Sequence, residues 1–198
     1  MSPDHPIRPA ATVILWREGP VGPEVLMGQR GQAAVFMPSK YVFPGGGVDA
    51  GDHADPLPLA DLCTHRLRLC NDGPAPETLA GTALRELSEE TGLTFAPDGQ
   101  MRFVFRAITP PGRTRRFDAR FFLAPADHAT GDAETFAGAS GELGHLHWVP
   151  LAKVRQLDLP FVTEVALAEV AAILAGQDQP GVPFFDNSGP SPTFRRLG

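Results

Sequence analysis

Glu86, Glu89 and Glu90 stand at spacings i, i+3 and i+4 in Arg85-Glu86-Leu87-Ser88-Glu89-Glu90-Thr91. On a helix that spacing projects three carboxylates from one side. Like charges so close repel, and hard divalent cations with oxygen ligands are the natural compensation. Mg²⁺ accepts carboxylates, water and substrate phosphate together. Taken alone, three glutamates describe a solvated acidic helix face just as well, and that is the commoner arrangement.

The helix that would carry them is well signalled. Pro76 suits a first helical position, Glu77 places negative charge where the helix dipole favours it, and Gly92 can close the end in a left-handed cap. The spacing predicts a helix over 77–91. Ala80, Ala83, Leu84 and Leu87 form its apolar stripe, which must be seated against a sheet.

A second motif precedes it: Phe43-Pro44-Gly45-Gly46-Gly47-Val48-Asp49. This glycine loop followed by Arg85 through Leu93 resembles the signature of the Nudix hydrolase family. That signature runs from a glycine loop to Arg-Glu, an apolar residue, any residue, Glu-Glu, any residue, Gly and an apolar residue. Its second half is matched at every specified place. One departure is an insertion. The family expects a glutamate six residues after the opening glycine, and Asp52 occupies that place. His53 to Pro76 then intervene before Glu77 restores the distance to Arg85, so Asp52 and Glu77 compete for one position.

The resemblance implies a single-domain α/β fold, the Nudix α/β/α sandwich with a mixed β-sheet, over residues 1–176. Residues 53–76 form the insertion near the site, and 177–198 a Pro/Gly-rich tail. It implies that Glu86, Glu89 and Glu90 bind Mg²⁺ or Mn²⁺ directly or through water, with one of them serving as general base. The Gly46 carbonyl joins the metal shell, and Arg85 orients the glutamates by salt bridge. Glu142, in a loop before a strand, is an additional candidate acid or base, and an ordinary exposed loop glutamate is the alternative. The implied reaction cleaves the diphosphate bridge of a nucleoside diphosphate linked to another group.

Ile108-Thr109-Pro110 and Arg115-Arg116-Phe117-Asp118-Ala119-Arg120-Phe121-Phe122, with the insertion, resemble the subgroup containing the animal peroxisomal coenzyme A diphosphatase. Coenzyme A or an acyl derivative is the substrate so implied, with ADP-ribose or a nucleotide sugar as the alternative. Arg115, Arg116 and Arg120 would then meet substrate phosphate, and alternation puts Arg116, Asp118 and Arg120 on one strand face. Surface salt bridging is the competing reading. Val35 and Ser39 stand where another coenzyme A-cleaving group has its own arginine and glycine marks.

The remaining pattern supplies the frame. Ala11–Trp16 and Glu24–Gly28 read as strands joined by a Gly/Pro turn, and Tyr41–Phe43 as a brief strand ended by Pro44 and the glycines. Leu59, Leu62, Cys63, Leu67 and Cys70 have helical spacing. The insertion is expected to shape the substrate mouth rather than the core. Strands follow over 102–108, 116–123 and 146–149, with Pro110-Pro111-Gly112 as a turn and a helix over 162–174. His145 and His147 alone among six histidines show ligand-like spacing, which an exposed strand explains equally. From Gln177 onward the chain is expected to be extended or disordered.

A length of 198 residues suits one domain with a real core, and 42% apolar content marks it as globular. A net charge of −6 argues against nucleic acid as partner, and hence against RNA-end processing. Two cysteines, Cys63 and Cys70, are too few for a disulfide framework and lack zinc partners. No apolar run reaches the roughly 18 residues of a membrane span, and neither terminus resembles an address signal. The expected setting is cytoplasmic, with a small-molecule nucleotide substrate, no membrane partner, and a homodimer as the candidate assembly. A non-catalytic nucleotide-sensing module is the rival class; it would have no need of all three glutamates.

Overall fold

The computed structural model describes residues 5–69 and 73–198, so Cys70 lies outside the described residues. The first two strands, β1 (Ile7–Gly19) and β2 (Gly22–Arg30), form the expected hairpin, pairing Trp16 with Val25 and Gly19 with Gly22. The remaining strands are β3 (Tyr41–Val42), β4 (Gly45–Gly47), β5 (Thr94–Phe95), β6 (Arg102–Ile108), β7 (Arg116–Pro125), β8 (Ala129–Thr130), β9 (Leu143–Pro150), β10 (Val182–Asp186) and β11 (Thr193–Leu197). The helices are α1 (Asp61–Arg68), α2 (Pro76–Thr91) and α3 (Phe161–Leu174).

The main sheet runs β11-β10-β6-β7-β1-β2-β3, with β4 also on β1 and β9 also on β2. It is mixed: β1 lies parallel to β7 and β10 parallel to β6, while the other pairs are antiparallel. Alternation along β1 sorts its two faces. Ala11, Val13 and Leu15 meet Leu79, Ala80, Ala83 and Leu87 of α2. Ile14 faces the other way, into a cluster with Phe105, Phe121 and the α3 residues Ala166, Leu167 and Val170. Helices therefore cover both faces, giving the α/β/α sandwich.

The catalytic-helix expectation holds to its ends. Pro76 is the first helical residue, and Gly92 closes the helix at φ 74°, its N–H donating to the Ser88 carbonyl. Two other expectations need revising, and a third is narrowed. The glycines do not end strand structure: Gly45–Gly47 pair with Ala10–Thr12 of β1. A Cβ on Gly45 would lie 2.6 Å from the Ala11 carbonyl oxygen, so close backbone approach requires glycine there. Of the two alternatives for the chain beyond Gln177, extended is the one found, and it is built into the sheet with Val182, Pro183 and Phe184 buried.

The insertion is the second revision. Its described residues serve the core rather than a substrate mouth: Ala54, Leu59, Cys63 and Leu67 join the cluster between α2 and Phe103. The Met101 N–H donates to the Pro58 carbonyl, tying the insertion to the start of β6. Cys63 and Leu67 lie four apart on α1, and that face is buried beside α2 while Leu62 stays exposed. Among the described residues no helix is long and apolar enough to cross a membrane.

Candidate active site

The glycine strand and the carboxylate helix meet edge to edge. A Cβ on Gly46 would collide with the Glu86 carboxylate, so the absence of a side chain lets backbone and carboxylate touch. The Gly45 N–H donates to Glu90 Oε2 at 2.8 Å. Glu90 is 2% exposed and Glu89 exposed, while Glu86 is half-buried. Burial pushes the Glu90 carboxyl up to about 8, opposed by the Gly45 N–H and reinforced by the charges of Glu86 and Glu142. Burial likewise raises Glu86, opposed by Arg85. Carboxylates packed this closely call for positive charge.

Arg85 supplies part of it. Its Nη1 donates to Glu86 Oε1 at 2.8 Å and Glu89 Oε2 at 3.2 Å, and its Nη2 donates to the Gly47 carbonyl at 3.0 Å. From the other side Asp52 accepts from Arg85 Nε at 2.8 Å and from Nη2 at 3.1 Å. Asp52 also takes the Thr82 hydroxyl at 2.7 Å and the Asp49 N–H at 2.9 Å. Hydrogen bonds from Arg85 foremost hold its carboxyl down at about 2. Asp52 thus braces the loop and the arginine. Glu77 lies elsewhere, 3.5 Å from Arg68 at the start of α2. A shorter acid does here what the signature assigns to a glutamate.

This brace has a testable signature. Asp52→Asn keeps the shape but leaves Arg85 short of a charged partner, and should cost about 1–3 kcal/mol at neutral pH. A carboxyl depressed below its unfolded value contributes stability above that value and loses it as pH falls through the folded one. The wild-type advantage should therefore be full above pH ~4 and vanish towards pH ~2. Urea unfolding of both proteins across that range measures it; a gap that does not change with pH would show the brace is not ionic.

The glutamate edge opens into a cavity of about 1150 Å³ on the α3 side of the sheet. Glu86, Glu89, Arg85 and the three glycines form one end, and Glu142 reaches it too, 3.6 Å from Arg30. Arg115 lines the cavity, as do Arg8, Arg30 and Arg113. Arg8 and Arg30 were not singled out in the sequence; nothing local marks an arginine in a first or second strand as facing a site.

Arg116 and Arg120 correct the expectation of phosphate contact. Alternation does place them with Asp118 on one face, but it is the face turned away from the cavity. Arg120 is 1% exposed and 2.8 Å from Asp118, which Arg106 also pairs at 2.7 Å. Arg116 donates to the carbonyls of Thr109, Asn187 and Ser188. They hold the sheet end together. Tyr41 and the stacked His145 and His147 rings form a contact of their own, with Tyr41 Oη 2.5 Å from His145 Nδ1.

The donor set suits a hard divalent cation: carboxylates from Glu86, Glu89 and Glu90, with the Gly46 backbone against Glu86. Among the described residues no three acidic, His or Cys side chains already form a closed ligand cluster. Arg85 bridges Glu86 and Glu89 instead, and cation binding there would compete with those ion pairs.

A mixed sheet between helices thus sets the acidic residues of one helix against a glycine strand. Residues 73–169 match the NUDIX domain. Solved structures of like fold include a NUDIX hydrolase from Alicyclobacillus acidocaldarius, at TM-score 0.59 and 23% identity, covering 88% of this chain and 98% of that one. The NUDIX domain of Shewanella oneidensis NrtR, complexed with ADP ribose, aligns at TM-score 0.55 and 16% identity over 85% and 89%. A C. elegans Ap4A hydrolase aligns at 0.51 and 19% over 86% and 99%. No curated protein sequence matches the chain. Just under half of the chain matches the NUDIX domain, and its fold is shared with NUDIX hydrolases of known structure.

Proposed function

We propose that this protein uses Mg²⁺ or Mn²⁺ to split the diphosphate bridge of coenzyme A or an acyl-coenzyme A, releasing adenosine 3′,5′-bisphosphate. The observation that carries the reading is the layout of the cavity. One end holds Glu86 and Glu89 beside the Gly46 backbone, and the walls carry Arg8, Arg30, Arg113 and Arg115 together with Phe36, Phe117 and Phe185. Carboxylates, cations and aromatic rings in one 1150 Å³ space suit a long substrate with phosphates at its centre and apolar parts beyond.

Each residue then has a task. Glu86, Glu89, Glu90 and the Gly46 carbonyl hold the cation, and Arg85 with Asp52 keeps the first two glutamates aimed. A bound Mg²⁺ or Mn²⁺ supplies Lewis-acid stabilisation of the phosphoryl oxygens and a more acidic water. Arg8 and Arg30 neutralise phosphate charge as the bridge is cleaved. The proton lost by the attacking water goes to a carboxylate of this edge, with Glu142 the candidate outside α2. Arg113 and Arg115, at the cavity rim, replace Arg116 and Arg120 as the partners for the extra 3′-phosphate.

ADP-ribose is the second reading, supported by the ADP-ribose complex of the like-folded Shewanella domain. Comparing kcat/KM for coenzyme A, dephospho-coenzyme A and ADP-ribose with Mg²⁺ and with Mn²⁺ separates the two. Coenzyme A should be cleaved best, and loss of its 3′-phosphate should cost ~10-fold, as expected for one charge-assisted contact of about 1.5 kcal/mol. If dephospho-coenzyme A is equal and ADP-ribose is best, the coenzyme A assignment is wrong.

A further inference from the structure

Phe161 and Phe194 are 65% and 58% exposed, an arrangement unusual enough in a folded chain to ask what covers them. They are not isolated. Phe185 lies between them, its ring 5.8 Å from Phe161 and 6.4 Å from Phe194, as cross-strand partner of the latter. Phe161 and Phe185 line the cavity that begins at the glutamates, so the three rings continue its wall outward. The hairpin that carries two of them lies beyond the part of the chain that matches the NUDIX domain. It is held in place by Arg116, which donates to Asn187, Ser188 and the cavity-loop residue Thr109. The shelf is thus fixed to the site rather than free to drift from it.

We infer that Phe161, Phe185 and Phe194 form a receiving shelf for an apolar chain carried on the distal-phosphate side of the substrate. This rests on the reading of the cavity as a site for nucleoside diphosphate derivatives. A sugar in the same place would set hydroxyl groups against rings that offer no hydrogen bonds, losing the partners they have in water. An alkyl or acyl chain has no such loss and covers apolar surface that is otherwise wet.

The test uses methyl, butyl and octyl esters of ADP, which share the diphosphate and differ only in apolar length. Binding is read by calorimetry in EDTA, and hydrolysis separately with Mg²⁺. The octyl ester should bind at least ~10-fold tighter than the methyl ester, since each buried methylene is worth roughly a factor of three to four. In Phe161→Ser and Phe194→Ser that ratio should fall to within about twofold. Both positions are exposed, so the variants should fold; a purely structural role would weaken both esters in proportion and leave the ratio unchanged. Affinity that ignores chain length overturns the shelf. So does a ratio untouched by either variant, or a shelf that senses the base when UDP esters replace ADP esters, or variants that change only the molecular mass in solution. Failure of every ester to be hydrolysed would instead count against the enzymatic reading, because the binding ratio is measured without turnover.

Discussion

Glu90→Gln should lower kcat by at least ~100-fold, the upper range for losing even an outer partner of a bound metal, while leaving the melting temperature unchanged or raised. The two halves have one cause. Glu90 is enclosed between α2 and the glycine strand, where an ionised carboxylate is costly and where its one hydrogen bond comes from Gly45. Glutamine accepts the same bond through Oε1 without the charge, so the fold loses nothing that it needs. Function loses a hard anionic donor, which a neutral amide oxygen replaces poorly. A solvated acidic helix face would also tolerate the change, but Glu90 is buried and tolerates it because the lost charge is the costly part. Thermal unfolding and turnover of a panel of nucleoside diphosphate compounds, with Mg²⁺ and with EDTA, measure both. Full activity in Glu90→Gln, or wild-type turnover that persists in EDTA, would remove the cation mechanism.

What could be read from the chain was what short range determines. Proline, glutamate and glycine at the two ends of α2, and three carboxylates at helical spacing, depend only on near neighbours, and the helix stands as read. Alternation correctly grouped Arg116, Asp118 and Arg120, but a period of two does not say which face meets the site. That was decided by where β7 sits between β1 and β6, and it turned the three side chains toward Arg106. The glycine strand failed for the opposite reason. Glycine has little intrinsic strand preference, and Gly45–Gly47 pair because β1 and Glu86 come too close for side chains. Composition left the chain after Gln177 as either extended or disordered. Its ordering comes from β6, about 80 residues earlier, whose edge accepts β10 as a parallel partner.

The insertion gives the other large effect. Of the residues read at helical spacing, Cys63 and Leu67 of α1 are buried, Leu59 is buried ahead of the helix, and Leu62 is exposed. Replacing residues 55–74 with a short loop should abolish cooperative folding rather than retune substrate preference. Leu59, Cys63 and Leu67 are 7%, 6% and 4% exposed and pack with Leu79 of α2 and Phe103 of β6. Truncating one such leucine costs about 2–5 kcal/mol, and domains of this size have only about 5–15 kcal/mol in total. Removing the whole stripe also uncovers Leu79, Met101 and Phe103, so no nearby side chain can fill the gap. No described residue from 53 to 76 lines the cavity, which leaves the insertion no direct route to the substrate. Two point variants keep the claim open to refutation if the replacement simply aggregates. Leu67→Ala should shift the urea midpoint strongly with relative kcat/KM among substrates unchanged. Leu62→Ser, on the same helix but 58% exposed, should fall within about 0.5 kcal/mol of wild type. Equal and small effects at both positions, or altered substrate preference in Leu67→Ala, would return the insertion to the mouth of the site.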